Sequence, residues 1–142
     1  MEFENTIRIE RPVGEVFDFL ANFENVPRWN YAIDETRKTS PGPVGVGTTF
    51  GQVRSVPSRS EEHFEVTEFE PDTSLAIRGT FGSFAGTLVY ELSEAEGGTV
   101  LVNRANLSGL GVARLVAPIT ARRLRDAVAT NLSKLKEILE AR

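Results

Sequence analysis

In the C-terminal stretch 112–142, apolar residues fall at Val112, Leu115, Val116 and Ile119, and again at Leu124, Val128, Leu132, Leu135 and Leu139. Steps of three to five residues keep returning to one side of a 3.6-residue period, so the stretch reads as a long amphipathic helix. Pro118 interrupts it. A proline removes a backbone donor and crowds the preceding turn, so a kink or a helix start is expected there, leaving 119–140 as the longest unbroken segment. A stripe of that length must be covered, and in a small protein the surface that covers it is one face of a β-sheet.

The upstream chain supplies such a sheet. Over residues 3–10, Phe3, Ile7 and Ile9 alternate with Glu2, Glu4, Thr6, Arg8 and Glu10, the pattern of a half-buried strand. Pro12 opens a short helix whose Val13, Val16, Phe17 and Leu20 follow at i, i+3, i+4 and i+7. Asn22 and Asn25 punctuate it, and Val26-Pro27-Arg28-Trp29-Asn30 turns the chain toward a second strand over 31–38. Residues 40–47 hold two prolines and three glycines and read as a loop. The segments 48–56, 62–69, 74–81, 84–92 and 99–107 are rich in β-branched and aromatic residues. Pro57-Ser58, Pro71-Asp72, Gly82-Ser83 and Gly97-Gly98 separate them as short turn signals, so consecutive strands are expected to pair antiparallel.

The expected architecture is α+β and a single domain over 1–142: a curved antiparallel sheet of six to seven strands wrapped around a long C-terminal helix, with two short helices between the first two strands. Such a sheet twists and curls. One helix about 10 Å across cannot fill its concave side. A cavity is therefore expected between sheet and helix, and roughly 300–1,000 Å³ with mostly apolar walls is what small-molecule binding needs.

Composition narrows the chemistry. Cysteine is absent, which rules out disulfides, thiolate metal sites and a cysteine nucleophile, and suits a reducing compartment. No stretch approaches the roughly 18 apolar residues of a membrane span, and the start lacks a basic then apolar run, so a cytoplasmic location without stable membrane insertion is expected. His63 is the only histidine, so neither a metal site nor a Ser-His-Asp triad is expected. The glycines at 42, 45 and 47 lack the Gly-Lys-Ser/Thr ending of a phosphate loop, no dinucleotide fingerprint occurs, and no cofactor is expected.

The net charge of −4 is unevenly spread. From residue 112 onward, seven basic residues face three acidic ones, a local +4, and the remainder carries −8. A basic helix can dock an acidic protein partner. The plainer reading is a solvated face whose cations pair with acids such as Glu61, Glu62 and Glu65. No aromatic residue interleaves the charges, so nucleic acid is not expected.

Strand parity nominates cavity residues. Phe84, Gly86, Leu88, Tyr90 and Leu92 form the more apolar face of their strand, which directs the Tyr90 hydroxyl toward the cavity. Tyr31, Phe50, Phe64, Phe81 and Phe84 join it as an aromatic lining, and Val116 contributes from the C-terminal stretch. Trp29 either caps the cavity mouth or pins the second short helix to the sheet. In 99–107 both faces carry apolar residues, so Arg104 and Asn106 point inward or outward with equal warrant. An inward Arg104 would be too costly to leave unpaired and well suited to an oxyanion. Arg78 and His63 alternate against apolar neighbours and are expected at the surface.

Four segments also carry a family resemblance: Arg11-Pro12-Val13-Gly14-Glu15-Val16-Phe17-Asp18-Phe19-Leu20, Asn25-Val26-Pro27-Arg28-Trp29-Asn30, Gly45-Val46-Gly47-Thr48 and Glu65-Val66-Thr67-Glu68-Phe69-Glu70-Pro71. Over nearly the whole chain the sequence resembles the START-like, or SRPBCC, superfamily, and within it the polyketide cyclase/dehydrase-type branch. The resemblance implies the helix-grip fold. Members include aromatase/cyclases, ligand carriers, hormone receptors, ubiquinone-binding proteins and chaperone co-activators, so the fold alone does not choose a function. The expected function is binding of a small hydrophobic molecule, such as a lipid, a polyketide or another ring-bearing ligand. One alternative is a cyclase or dehydratase, a lyase-type enzyme on a polyketide-like substrate, with Tyr90 or Arg104 polarising a carbonyl as general acid. The other is an interaction module that docks through the basic helix.

Overall fold

The structure, a computed structural model, describes residues 1–115 and 118–142. Strand β1 (Glu2–Ile9) leads into helix α1 (Val13–Ala21), a 3-10 turn (Phe23–Asn25) and the one-turn helix α2 (Val26–Trp29). Six strands follow: β2 (Ile33–Lys38), β3 (Thr49–Arg54), β4 (Ser60–Glu70), β5 (Ser74–Phe81), β6 (Phe84–Ala95) and β7 (Gly98–Gly109). A second 3-10 turn (Gly111–Leu115) precedes the long helix α3 (Pro118–Glu140).

All seven strands form one antiparallel sheet in the order β1-β7-β6-β5-β4-β3-β2. From β2 to β7 each strand pairs with its neighbour in sequence, as the short turn signals predict. Only β1 crosses the molecule, pairing with β7 so that Glu2 lies opposite Asn106 and Ile9 opposite Thr99. The curl is tight where β4 to β7 meet: Gly79 lies between Phe64 and Gly86 in register, and Gly86 between Gly79 and Leu107. A Cβ at Gly79 would collide with the His63 carbonyl, and one at Gly86 with the Asn106 carbonyl, so only glycine allows the strands this approach.

Several strand ends shift by a few residues from the sequence reading, and two boundaries differ for a physical reason. Strand β2 starts at Ile33 rather than at 31, because the residues before it are held in a turn: Asn30 Oδ1 accepts from Ala32 N at 3.0 Å, and the Asn30 carbonyl from Ile33 N at 3.2 Å. The stretch from 112 is not one helix. Gly111–Leu115 is a 3-10 turn, and α3 begins at Pro118, where a missing N–H costs nothing. Val112 is 90% exposed and Ile119 55% exposed, so these two members of the apolar stripe stand largely in solvent.

The stripe deepens along α3. Leu124 and Val128 are half-buried, whereas Leu132, Leu135 and Leu139 are fully buried against the sheet. Each of the three contributes about 1.5–3 kcal/mol by leaving water. Polar contacts fix the same end of the helix. Lys136 Nζ donates to the Arg8 carbonyl at 2.6 Å and to Glu140 at 2.7 Å, and Glu140 Oε2 accepts from Glu10 N at 2.8 Å. The hydrogen bond from Lys136, helped by the Glu10 N–H, holds the Glu140 carboxyl below the usual carboxylate range.

Among the described residues the helix cations do not pair with Glu61, Glu62 or Glu65. Lys134 and Lys136 reach Glu137 and Glu140 one turn on, and Arg125 lies 3.6 Å from Asp126. Glu61 is taken by Arg59 at 3.7 Å, and Glu62 by Arg54 at 3.0 Å. No described helix is long and apolar enough to cross a membrane.

Candidate ligand-binding cavity

Between the concave face of the sheet, α2 and the N-terminal half of α3 lies a cavity of about 230 Å³. Its walls are largely apolar. Helix α1 supplies Leu20, the turn after it Phe23 and α2 Val26, the sheet supplies Phe64, Ile77, Phe81 and Leu88, and α3 closes it with Leu124, Ala127 and Val128. The helix covers the cavity with the half that packs loosely and is anchored by the half beyond it. The fully buried leucines of α3 are Leu132, Leu135 and Leu139, while small Ala127 sits over the gap.

The aromatic nominees behave unequally. Trp29, Phe64, Phe81, Phe84 and Tyr90 all line the cavity, and Tyr31 lies at its rim with 59% of its surface exposed. Trp29 is buried as well as lining, so pinning α2 and walling the cavity are one placement. Phe50 stands behind the wall rather than in it: it stacks on Phe64 at 5.2 Å between ring centroids and meets Phe23 at 4.9 Å. Val116 lies outside the described residues.

Tyr90 faces inward, as the parity of its strand predicts. Its hydroxyl has no hydrogen-bond partner among the described residues, and burial pushes the phenol above its ordinary value. Asn103 lies directly opposite in the β6–β7 register, with its Nδ2 donating to the Val89 carbonyl at 3.5 Å and its Oδ1 unpartnered among the described residues.

Arg104 is on the outer face. It is 47% exposed, its Nε donates to Glu4 at 2.8 Å, and its Nη1 donates to Glu91. The inward alternative fails because Leu101, Asn103, Ala105 and Leu107 are the buried set, which turns Arg104 and Asn106 to solvent. Arg78 and His63 are exposed too.

The arginine that does reach the cavity is Arg54, with its side chain 16% exposed. Its Nε lies 3.1 and 3.2 Å from the two oxygens of Glu62, and its Nη2 3.0 Å from Oε1. Glu62 is 2% exposed and also accepts from Gln52 Nε2 at 2.7 Å, Gly82 N at 2.8 Å and Ser60 Oγ at 3.3 Å. Gln52 in turn accepts from Thr36 at 3.3 Å. Thr36, Gln52 and Glu62 sit opposite one another across β2, β3 and β4, so the register alone assembles this polar end. From α3, Asn131 joins it, accepting from Tyr31 N at 3.4 Å.

Sequence reasoning missed Arg54, Gln52 and Asn131, although a signal existed. Placing Phe50 on the inner face places Gln52 and Arg54 there too, since they are two and four residues on. Asn131 lies three residues after Val128 and four before Leu135, inside the apolar stripe. A polar residue there had to be accounted for.

A long helix held by a curled antiparallel sheet, with a cavity between them, is the helix-grip architecture of the START-like, or SRPBCC, proteins. The family model described as "Polyketide cyclase / dehydrase and lipid transport" matches residues 1–140, and the chain belongs to that family. Among solved structures, TTHA0849 from Thermus thermophilus superposes with a TM-score of 0.82 at 14% identity, covering 99% of this chain and 98% of that one. The di-domain ARO/CYC StfQ from the steffimycin biosynthetic pathway gives 0.78 at 15% identity, covering 99% of this chain and 50% of StfQ. Ara h 8.0201 gives 0.77 at 14% identity over 100% of this chain and 99% of its own. At such identities these likenesses establish the fold. A search with the sequence among curated proteins finds no match.

Proposed function

We propose that the protein binds a small, hydrophobic, ring-bearing molecule in the cavity between the sheet and α3. The observation that carries this reading is the cavity itself, about 230 Å³, walled by aromatic and aliphatic side chains and furnished with polar groups at Arg54, Asn131 and Tyr90. Apolar walls with a few placed polar groups are the usual form of a small-molecule site. Binding of a ring also suits Trp29, Phe64, Phe81 and Phe84, whose faces offer stacking surface. The absence of cysteine suits a cytoplasmic setting for this role.

A cyclase or dehydratase is the second reading, favoured by the family description and by the presence of two inward donors, Tyr90 and Arg54. In that reading Arg54 takes the carbonyl-polarising part that Arg104, at the outer surface, cannot play. Electrostatics weigh against it. A general acid works best with a pKa near the operating pH, and burial moves Tyr90 the other way, which makes it a hydrogen-bond donor that keeps its proton.

Native mass spectrometry of the purified protein, set against its denatured spectrum, tests the binding reading. A co-purifying small molecule is expected, and Ala127→Trp, which fills the cavity from α3, should abolish it. An adduct that persists at the same occupancy in Ala127→Trp would place the molecule elsewhere and end the cavity reading.

A further inference from the structure

We infer that the cavity selects a compact, electrically neutral molecule bearing a hydrogen-bond acceptor, of the class of a ring ketone, and turns away carboxylates of the same size. This rests on the reading of the cavity as a ligand site. The side-chain amide acceptors of the described lining residues are occupied, as is Glu62 behind Arg54; the unpartnered Asn103 Oδ1 belongs to a residue that does not line the cavity. Glu62 accepts from Gln52, Arg54, Ser60 and Gly82, Gln52 Oε1 accepts from Thr36, Asn131 Oδ1 from Tyr31 N, and Asn30 Oδ1 from Ala32 N.

Donors remain. Arg54 spends Nε and Nη2 on Glu62, and its Nη1 has no partner among the described residues. Asn131 Nδ2 and the Tyr90 hydroxyl have none there either, and all three residues line the cavity. A hydroxyl can serve either way, so the surplus of donors is carried by Arg54 and Asn131. None of these three atoms is fully buried, so each keeps access to the cavity space, and a ligand that covers them without an acceptor leaves them unmatched; the ligand that completes this site therefore brings acceptors.

Charge decides which acceptor. Arg54 is the one side chain charged at neutral pH among the described residues lining the cavity, and Glu62 already balances it at 3.0 Å. A ligand carboxylate against Nη1 would face Glu62 across a single guanidinium, adding like-charge repulsion to the loss of its hydration in an apolar enclosure. A carbonyl oxygen meets neither penalty. Size narrows the class further, since about 230 Å³ falls below the roughly 300–1,000 Å³ of sites for drug-sized ligands. One or two rings suit it.

Calorimetric titration of the whole protein with 1-tetralone, 1-naphthoate and naphthalene tests the selection. The ketone is expected to bind about tenfold more tightly than either of the others, equivalent to about 1.4 kcal/mol. Glu62→Gln unbalances Arg54 and should raise 1-naphthoate affinity about tenfold over wild type. Arg54→Met should weaken 1-tetralone toward the level of naphthalene, with Asn131 Nδ2 left as a donor, and without any gain for 1-naphthoate. If neither variant folds, the wild-type comparison decides alone. Binding of 1-naphthoate as tight as that of 1-tetralone, or equal binding of 1-tetralone and naphthalene, overturns the selection and leaves the cavity a binding site. Binding of none of the three overturns the cavity reading and the selection with it.

Discussion

At position 90 a phenol is buried with its hydroxyl unmatched among the described residues, so folding disfavours its ionised form. The folded pKa is raised by desolvation above the ordinary 10.0. The stability this residue contributes is therefore complete below that value and is lost as pH rises above it, because only the unfolded chain ionises readily there. Tyr90→Phe should remove this alkaline loss. Urea midpoints recorded from pH 8 to 11 should fall less steeply in Tyr90→Phe than in wild type, and parallel curves would show that Tyr90 is not buried as described. Its inward direction was legible from its strand, because Gly86, Leu88 and Leu92 share its face and outweigh the other in apolar character. Arg104 was not legible. Val100 and Val102 share its face while Leu101, Ala105 and Leu107 take the other, so hydropathy is balanced, and the buried Asn103 on the inner face adds a misleading polar mark.

Helix α3 combines two halves with different work. Leu132, Leu135 and Leu139 are wholly buried beside the clamp made by Lys136 and Glu140, while Leu124 and Val128 line the cavity at half burial. Leu135→Ala should cost about 2–5 kcal/mol of unfolding free energy, the range for a leucine deleted from a packed core. Leu124→Ala should cost distinctly less, since its removal enlarges a space already present. Chemical denaturation of both variants checks the contrast, and equal losses would mean that α3 packs uniformly. Most element boundaries could be read from periodicity and turn residues, and 74–81 coincides with β5. The failures lie where side chains compete with the backbone pattern. Asn30 holds the chain in a turn ahead of β2, and the apolar stripe before Pro118 continues over a 3-10 turn that leaves Val112 in solvent. Periodicity reports which residues would share a face, without reporting whether a surface waits for them.

For the molecule as a whole, fold and family lay open in the sequence because they depend on many residues acting alike: seven strands and one long helix tolerate local error. The cavity's polar end depends on a few residues and on register, which brings Thr36, Gln52 and Glu62 together from three strands and Asn131 from a helix. Single-sequence patterns carry little of that. The strand order also has a kinetic consequence. Strands β2 to β7 pair with sequence neighbours, so their loops close cheaply and early, whereas β1 must find β7 across about a hundred residues and α3 can settle only on the assembled sheet. The enclosure is thus expected to form last. A ligand that needs it has nothing to hold in the folding transition state, and should slow unfolding in proportion to its occupancy while leaving the refolding rate unchanged. Stopped-flow measurements with and without ligand would show this as a shift in one limb of the chevron. Acceleration of refolding would mean instead that the cavity is shaped before the two ends of the chain meet.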